Sequence, residues 1–237
     1  MLIPKVVHVT WKSKDILNNQ APLILNGVRN IVDINQDWQL QLSDDVELES
    51  YLSKNLSRYD YNLLSSRHIV EKSDVWRLLK IYNEGGMYID IDRLFNKKLN
   101  DIISPTAKCV LPTNNDFDFS QDLIISAPEN PIYKEVLELN LLRRRQGIND
   151  IYFLGAQTYM HGVTKALFGT VIDTNPGANV FEHIKKELGK IEFIQTYNEM
   201  LPNKTFVYEY DPTTYCEGNG KSKNEFYQEF DVTHWML

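Results

Sequence analysis

The chain has 237 residues, 43% of them hydrophobic, enough to bury a full core in one sizeable α/β domain. Its 25 Lys and Arg against 32 Asp and Glu give a net charge of -7 with no block of five like charges, which argues against a nucleic-acid partner held through phosphates. Two cysteines, Cys109 and Cys216, stand far apart without a C-x-x-C pair, so neither a zinc ribbon nor a disulfide framework is expected, and a reducing compartment is.

In chain order, MLIPKVVHV is too short for a signal-peptide core or a membrane span, and no other segment reaches 18 apolar residues. The expectation is therefore a cytoplasmic chain with no transmembrane segment. Residues 5–11 (KVVHVTW) are β-branched and apolar, a first strand in which His8 is a packed, hydrogen-bonded histidine. Residues 21–32 have helical apolar spacing, and residues 38–42 (WQLQL) alternate as a strand. Asp44 and Asp45 offer a cap for a helix ending near Leu56. Ser65 or Ser66 is expected to cap the longest helix, residues 67–83, whose Val75, Leu78, Leu79 and Tyr82 form one apolar stripe. Gly85 and Gly86 stop it, and residues 87–91 read as a strand. Further strands are expected at 109–112, 122–126, 191–197 and 206–210, and helices at 131–144 and 155–168. Arg143, Arg144 and Arg145 close the first of these, where cations suit the helix dipole; a membrane-surface or acidic-acceptor contact is the alternative. Alternating strands and helices imply an α/β sandwich with a mainly parallel sheet, whose ligands bind beyond the carboxyl ends of strands. No repeat, low-complexity stretch or linker divides the chain.

The stretch EGGMYIDID, residues 84–92, ends an apolar run with Asp90 and Asp92. On a strand, residues two apart point the same way. Two carboxylates so placed repel each other, and a divalent cation relieves that repulsion. Oxygen-only ligands suit Mg²⁺ or Mn²⁺, which keep positions open for substrate phosphates. The alternative is a pair of acids in a solvated turn. On the preceding helix, Asp74 and Arg77 are three residues apart and share a face away from the apolar stripe. A carboxylate and a guanidinium together can hold sugar hydroxyls; the bland reading is a surface ion pair.

Taken together, S-D-x-x-R-x-x-x-I-Y-x-x-G-G-x-Y-x-D-x-D over residues 73–92 resembles the glycosyltransferases with a DXD sugar-binding region, family 32. That family includes yeast α-1,6-mannosyltransferases and α-1,4-galactosyl- and N-acetylglucosaminyltransferases, and the clostridial glucosylating toxin domains are similar to it. IPKVVHVTWKSKD at 3–15 and NQDWQL at 35–40 resemble the family's opening segments. The resemblance implies a GT-A fold: a Rossmann-like, mixed and mainly parallel sheet flanked by helices, which binds a nucleotide-sugar and Mn²⁺ or Mg²⁺. It implies one domain over 1–237, with donor binding in about 1–100 and an acceptor side and C-terminal lid in about 101–237. By the same resemblance, Asp92 and Asp90 hold the metal, Asp90 also meets the donor, Asp74 and Arg77 grip the donor sugar, and Trp11 lies by the nucleobase. For Trp11 the alternative is core filling. The late DVTHWML resembles the family's H-x-W segment and nominates His234 as a third metal group and Trp235 as part of a lid; here the chain ends three residues after His234. QTYMHGVT, 157–164, resembles a T-G-P-x-x-x-T helix start in which Tyr159 and Met160 replace Gly-Pro. Gln121 and Asp122 fall where the family has polar residues close to the reaction centre, with a sheet-edge turn as the alternative.

The implied reaction is metal-dependent transfer of a hexose from a UDP- or GDP-sugar to a glycan or glycoconjugate hydroxyl, with retention of configuration, in polysaccharide biosynthesis. The catalytic candidates are Asp74, Arg77, Asp90, Asp92, Gln121 and Asp122. Peripheral membrane contact stays open. Two rivals stand beside this reading. One is a haloacid-dehalogenase-like phosphohydrolase with Asp90 as nucleophile, although Arg93-Leu94 replaces the Gly-Thr turn expected there. The other is a sugar-nucleotide-binding module without turnover.

Overall fold

The computed structural model describes residues 2–17, 22–93, 97–113, 119, 121–169, 171 and 205–209. The chain runs β1 (Val6–Thr10), a 3₁₀ turn (Lys14–Leu17), α1 (Pro22–Ile34), β2 (Gln39–Ser43), α2 (Asp45–Asn55), α3 (Arg58–Ser65), α4 (Ile69–Glu84) and β3 (Gly86–Ile89). It continues through α5 (Leu99–Ile102), β4 (Cys109–Thr113), β5 (Leu123–Ser126), α6 (Pro131–Arg145), a π turn (Phe153–Gln157), α7 (Thr158–Phe168) and β6 (Thr205–Glu209). Among the described residues the strands form one sheet in the order β2-β1-β3-β5-β4-β6. Five strands run the same way, and β5 is antiparallel to both of its neighbours. The expected α/β sandwich with a mainly parallel sheet is therefore observed.

Period-two alternation on the inner strands sorts the core into two layers. Tyr88, Cys109, Leu111 and Ile124 face the layer of α2, α3, α4, α6 and α7, with Leu48, Leu52, Trp76 and Tyr133. Met87, Ile89, Val110, Leu123 and Ile125 face the other layer, with Ile31, Trp38 and Leu99. Leu48 and Leu52 fasten α2 to the first layer, and full burial of each contributes about 1.5–3 kcal/mol.

Local chemistry explains the boundaries. Asp44 accepts from the Glu47 amide while Glu47 reaches back to the Asp44 amide, a complete capping box. Two glycines are needed between α4 and β3. Gly85 ends the helix at φ 68°, and a Cβ there would lie 2.6 Å from the Pro128 ring. Gly86 has φ 97°, and its Cβ would lie 2.5 Å from the Val6 carbonyl oxygen. That close approach seats β3 beside β1.

Four expectations are corrected. The single long helix at 67–83 is α4, preceded by a separate α3; Ser57 caps α3, Ser66 ends it, and His68, not a serine, caps α4 through its ring nitrogen and the Val70 amide. The strand expected at 87–91 ends at Ile89, because Arg93 donates back to the Asp90 carbonyl and closes a turn over 90–93. Helix 155–168 begins with the π turn, so α7 starts at Thr158. The α4 face bearing Asp74 and Arg77 is buried, as is the Val75, Leu78 and Leu79 stripe, so α4 is covered on nearly all sides and the surface-pair reading fails. The strand expected at 191–197 lies outside the described residues, as do Cys216, His234 and Trp235. Cys109 is buried, its sulfur 3.7 Å from the Tyr133 hydroxyl. No helix among the described residues is long and apolar enough to cross a membrane.

Candidate active site

Helix α4 and strand β3 form a hairpin about Gly85-Gly86, so the helix runs back along the strand. Arg77 is eight residues before Gly85, roughly 12 Å along a helix. Asp90 is four residues after Gly86, roughly 13 Å along a strand. The two therefore come level at the carboxyl edge of β3. Because β1 is parallel to β3, Trp11 ends up at the same edge, half-buried, its amide bonded to the Ser43 carbonyl. Because β5 is antiparallel to β3, with Leu123 opposite Ile89, the start of β5 brings Gln121 and Asp122 there too.

Arg77 is the hub. Its Nη2 lies 3.0 Å from Asp74 Oδ1, and its Nη1 lies 3.1 Å from Asp90 Oδ1. Nη1 also donates to the Gln121 carbonyl at 3.1 Å. The guanidinium stacks over the Tyr88 ring, 4.6 Å from its centroid. Tyr88 follows the layer rule: it faces α4, and so does Asp90 two residues on, and its hydroxyl donates to Asp90 Oδ1 at 2.5 Å. Trp76 meets the Tyr88 ring edge-on at 6.2 Å and fixes its tilt. The Gln121 side-chain amide donates to Asp74 Oδ1 at 3.3 Å. Asp122 accepts from the Asp90 amide through its carbonyl, 2.8 Å, and its buried carboxylate pairs with Arg93 at 2.5 Å.

Charge at this edge is unevenly shared. Burial pushes the Asp74 carboxyl up to about 6, helped by Asp90 and opposed by Arg77. Burial alone would lower the Arg77 pKa, but Asp90, Tyr88, Asp74 and Asp122 outweigh it and hold the guanidinium firmly charged. Burial also pushes the Tyr88 hydroxyl well above its ordinary range, so it stays a donor. Asp90 keeps 30% of its side chain exposed, whereas Asp74 and Arg77 keep 6% and 7%. Asp92 is buried.

The structure thus brings Asp74, Arg77, Asp90 and Gln121 into direct contact and sets Asp92, Asp122 and Trp11 on the same edge. It does not place Asp90 and Asp92 as strand neighbours on one face, because Asp92 is already in the turn. Among the described residues no group of three or more His, Cys, Asp or Glu side chains converges as a metal cage. Oxygen donors from one or two acids fit Mg²⁺ or Mn²⁺ completed by substrate phosphates, and do not fit zinc. His8 is the packed histidine expected, its Nε2 donating to the Gly85 carbonyl at 2.9 Å while burial lowers its pKa.

Sequence reasoning missed Gly155. In the π turn its Cα faces the clamp: a Cβ would sit 2.8 Å from Asp74 Oδ2 and 3.0 Å from Gln121 Nε2. The glycine next to Asp74 and Gln121 is thus upstream of the segment compared with T-G-P. The detectable signal was a glycine inside a helical pattern, FLGAQ. Thr158 opens α7, as expected for a helix start, and its hydroxyl donates to the Phe153 carbonyl at 2.6 Å and accepts from Arg143 at 2.7 Å.

Residues 23–108 match the family described as "Glycosyltransferase sugar-binding region containing DXD motif". Inositol phosphoceramide mannosyltransferase 1 of Schizosaccharomyces pombe is 27% identical over 144 residues, 60% of this chain and 44% of that protein. Mannosyl phosphorylinositol ceramide synthase SUR1 of Saccharomyces cerevisiae is 25% identical over 171 residues, 72% of this chain and 42% of that one. The match spans less than half the length of either relative. Among solved structures, the PaToxG glycosyltransferase superposes with a TM-score of 0.58 at 18% identity, covering 81% of this chain and 76% of that one. The likeness is one of fold, and it bears out the GT-A reading.

Proposed function

From the premise that residues 23–108 are a DXD-type glycosyltransferase sugar-binding region, we propose that this chain transfers a hexose from a nucleoside-diphosphate sugar to a hydroxyl of a glycoconjugate. The observation that carries the reading is the Asp74–Arg77–Asp90 constellation at the carboxyl edge of β3, joined by Gln121, with Asp74 and Arg77 buried and Asp90 open to solvent. Mannose is the first donor sugar to test, and an inositol-phosphate lipid headgroup the first acceptor, because the named relatives are mannosyltransferases of inositol phosphoceramide.

In this reading the Asp74 carboxylate accepts from donor-sugar hydroxyls, and Arg77 holds that carboxylate in place while offering its remaining N–H groups. Much of the rate then comes from orientation. Asp90 is oriented by Arg77 and the Tyr88 hydroxyl toward the donor. Trp11 flanks the nucleobase by stacking. Asp92, with Asp90, would hold Mn²⁺ or Mg²⁺, which supplies Lewis-acid stabilisation of the departing diphosphate. Retention of configuration is what the family resemblance implies, and a front-face displacement is the route to it that needs no carboxylate nucleophile. The phosphohydrolase alternative loses ground because Asp90 Oδ1 is engaged by two donors, an arrangement for orienting and not for attack.

The test is nucleotide release from a panel of UDP- and GDP-sugars, with Mn²⁺, Mg²⁺ or EDTA. Metal-dependent release from one donor is expected. Absence of both release and nucleoside-diphosphate binding would overturn the proposal.

A further inference from the structure

Glu71 lies one helical turn before Asp74 on α4 and forms a second buried acid–arginine pair. Its partner is Arg144 of α6, with Nη1 2.6 Å from Glu71 Oε2 and side chains 5% exposed on both sides. Arg144 Nε donates to Asn140 Oδ1 at 2.8 Å, which fixes the amide so that Nδ2 donates to the Leu154 carbonyl at 2.7 Å. Leu154 immediately precedes Gly155, whose Cα packs against Asp74 and Gln121. Hydrogen bonds therefore run from α4 through α6 to the Leu154 carbonyl in the π turn, and the next residue, Gly155, packs that turn against Asp74 on α4. Arg143, next in the helix, braces the same turn through Thr158 and stacks on Phe153, 4.4 Å from its centroid. Single π turns recur at functional sites because they shift a backbone segment out of helical register. Here the shifted residue is the one that lacks a Cβ against the carboxylate.

A buried ion pair is weak evidence for stability, since well-packed apolar residues often replace it at no cost. Its closure from solvent, and the Asn140 amide that it orients toward the Leu154 carbonyl, suit it to fix one arrangement of the turn. Arg144 is also close enough to Asp74 to favour its ionised form.

Building on the proposed donor site, we infer that Glu71, Arg144 and Asn140 are positioning residues: they set the π turn against which the sugar-gripping carboxylate of Asp74 is held. They touch neither nucleotide nor metal in this scheme. Their loss should therefore harm recognition of the sugar while leaving the nucleoside diphosphate bound.

The experiment uses the full chain. Wild type is first shown to release nucleotide from one donor in a metal-dependent manner; failure at this step counts against the proposed function and not against this inference. Arg144→Met, the double variant Glu71→Met/Arg144→Met and Asn140→Leu are then compared with Arg145→Met, which breaks the pair between the same helix and Asp60 of α3. The expected result is a fall of about 10- to 100-fold in kcat/KM for the nucleotide-sugar in the first three. Binding of the sugar-free nucleoside diphosphate should stay within about twofold of wild type, and Arg145→Met should be unchanged. The double variant leaves no unpaired charge, so it answers the question even if Arg144→Met does not fold. Wild-type kcat/KM in the double variant, or equal loss of diphosphate and nucleotide-sugar binding, would overturn the inference.

Discussion

Two arginines on neighbouring helices hold acids of α4 one turn apart, and they do opposite things with them. Arg144 meets Glu71 alone, both are closed from solvent, and the remaining contact goes to an asparagine. Arg77 meets Asp74 and Asp90 together, with Asp122 and Tyr88 acting on it, and Asp90 opens to solvent. The first arrangement is balanced in charge, one cation to one anion. In the second, one arginine is shared by two acids at the edge of a sheet, with Asp92 and the Asp122–Arg93 pair beside them. A folded chain tolerates that imbalance where a cation or a hydroxyl-rich ligand arrives to relieve it. The difference between a structural ion pair and a site therefore lies in charge balance and access, and not in residue type.

Breaking the open arrangement should have the largest consequence. Asp92→Ala is expected to lower metal-dependent turnover by about 10³-fold or more while the protein stays folded, as checked by initial rates and circular dichroism. Arg77→Met would leave Asp74 and Asp90 facing each other without a cation; the expected loss is about 3–5 kcal/mol in denaturant unfolding, along with donor binding. Gly155→Ala should sharpen the comparison at the join between the two arrangements. Its Cβ would push on Asp74 and Gln121, and a drop of about 10- to 100-fold in donor kcat/KM with normal nucleoside-diphosphate binding is expected.

The raised Asp74 pKa supplies a smaller effect with a definite sign. In the folded chain this carboxyl holds its proton up to about 6, above its ordinary value of 3.8. The stability it contributes is therefore present in full below about 4 and is lost as pH rises through about 6. Donor turnover should move the other way, rising over the same window as the carboxylate forms. Asp74→Asn should flatten both profiles, read by urea midpoints and by rates from pH 4 to 8. Arg145→Met removes both arginine hydrogen bonds from the buried Asp60 carboxylate, and about 1–3 kcal/mol is expected in urea unfolding, with donor turnover unchanged.

Much of this was legible in the chain itself. Residues 73–92 place a helix, two glycines, a strand and two acids in an order that can only fold back, and the glycine contacts explain why neither can carry a side chain. What escaped is what depends on distant segments. Helix α3 was hidden because RYDYNLLS is polar and takes its stability from the Ser57 cap, from Asp60 held by Arg145 and from Leu64 in the core. The burial of Asp74 and Arg77 could not be inferred from helix periodicity, since it depends on Gly155 and Gln121 covering them. Arg144 looked like one of three basic residues ending a helix. Only the fold shows that each of the three has a different partner: Thr158 and His161 for Arg143, Glu71 and Asn140 for Arg144, and Asp60 for Arg145.

The central claim is that the acids at the β3 edge exist to receive a metal-bound nucleotide-sugar. Its most direct test is nucleotide release from GDP-mannose and a panel of UDP-sugars by wild type and Asp92→Ala, each with Mn²⁺ and with EDTA. Release of nucleotide from one donor, requiring the metal and lost in the variant, is the predicted result. Equal release from wild type and variant, or none from any donor together with no binding of UDP or GDP, would contradict it.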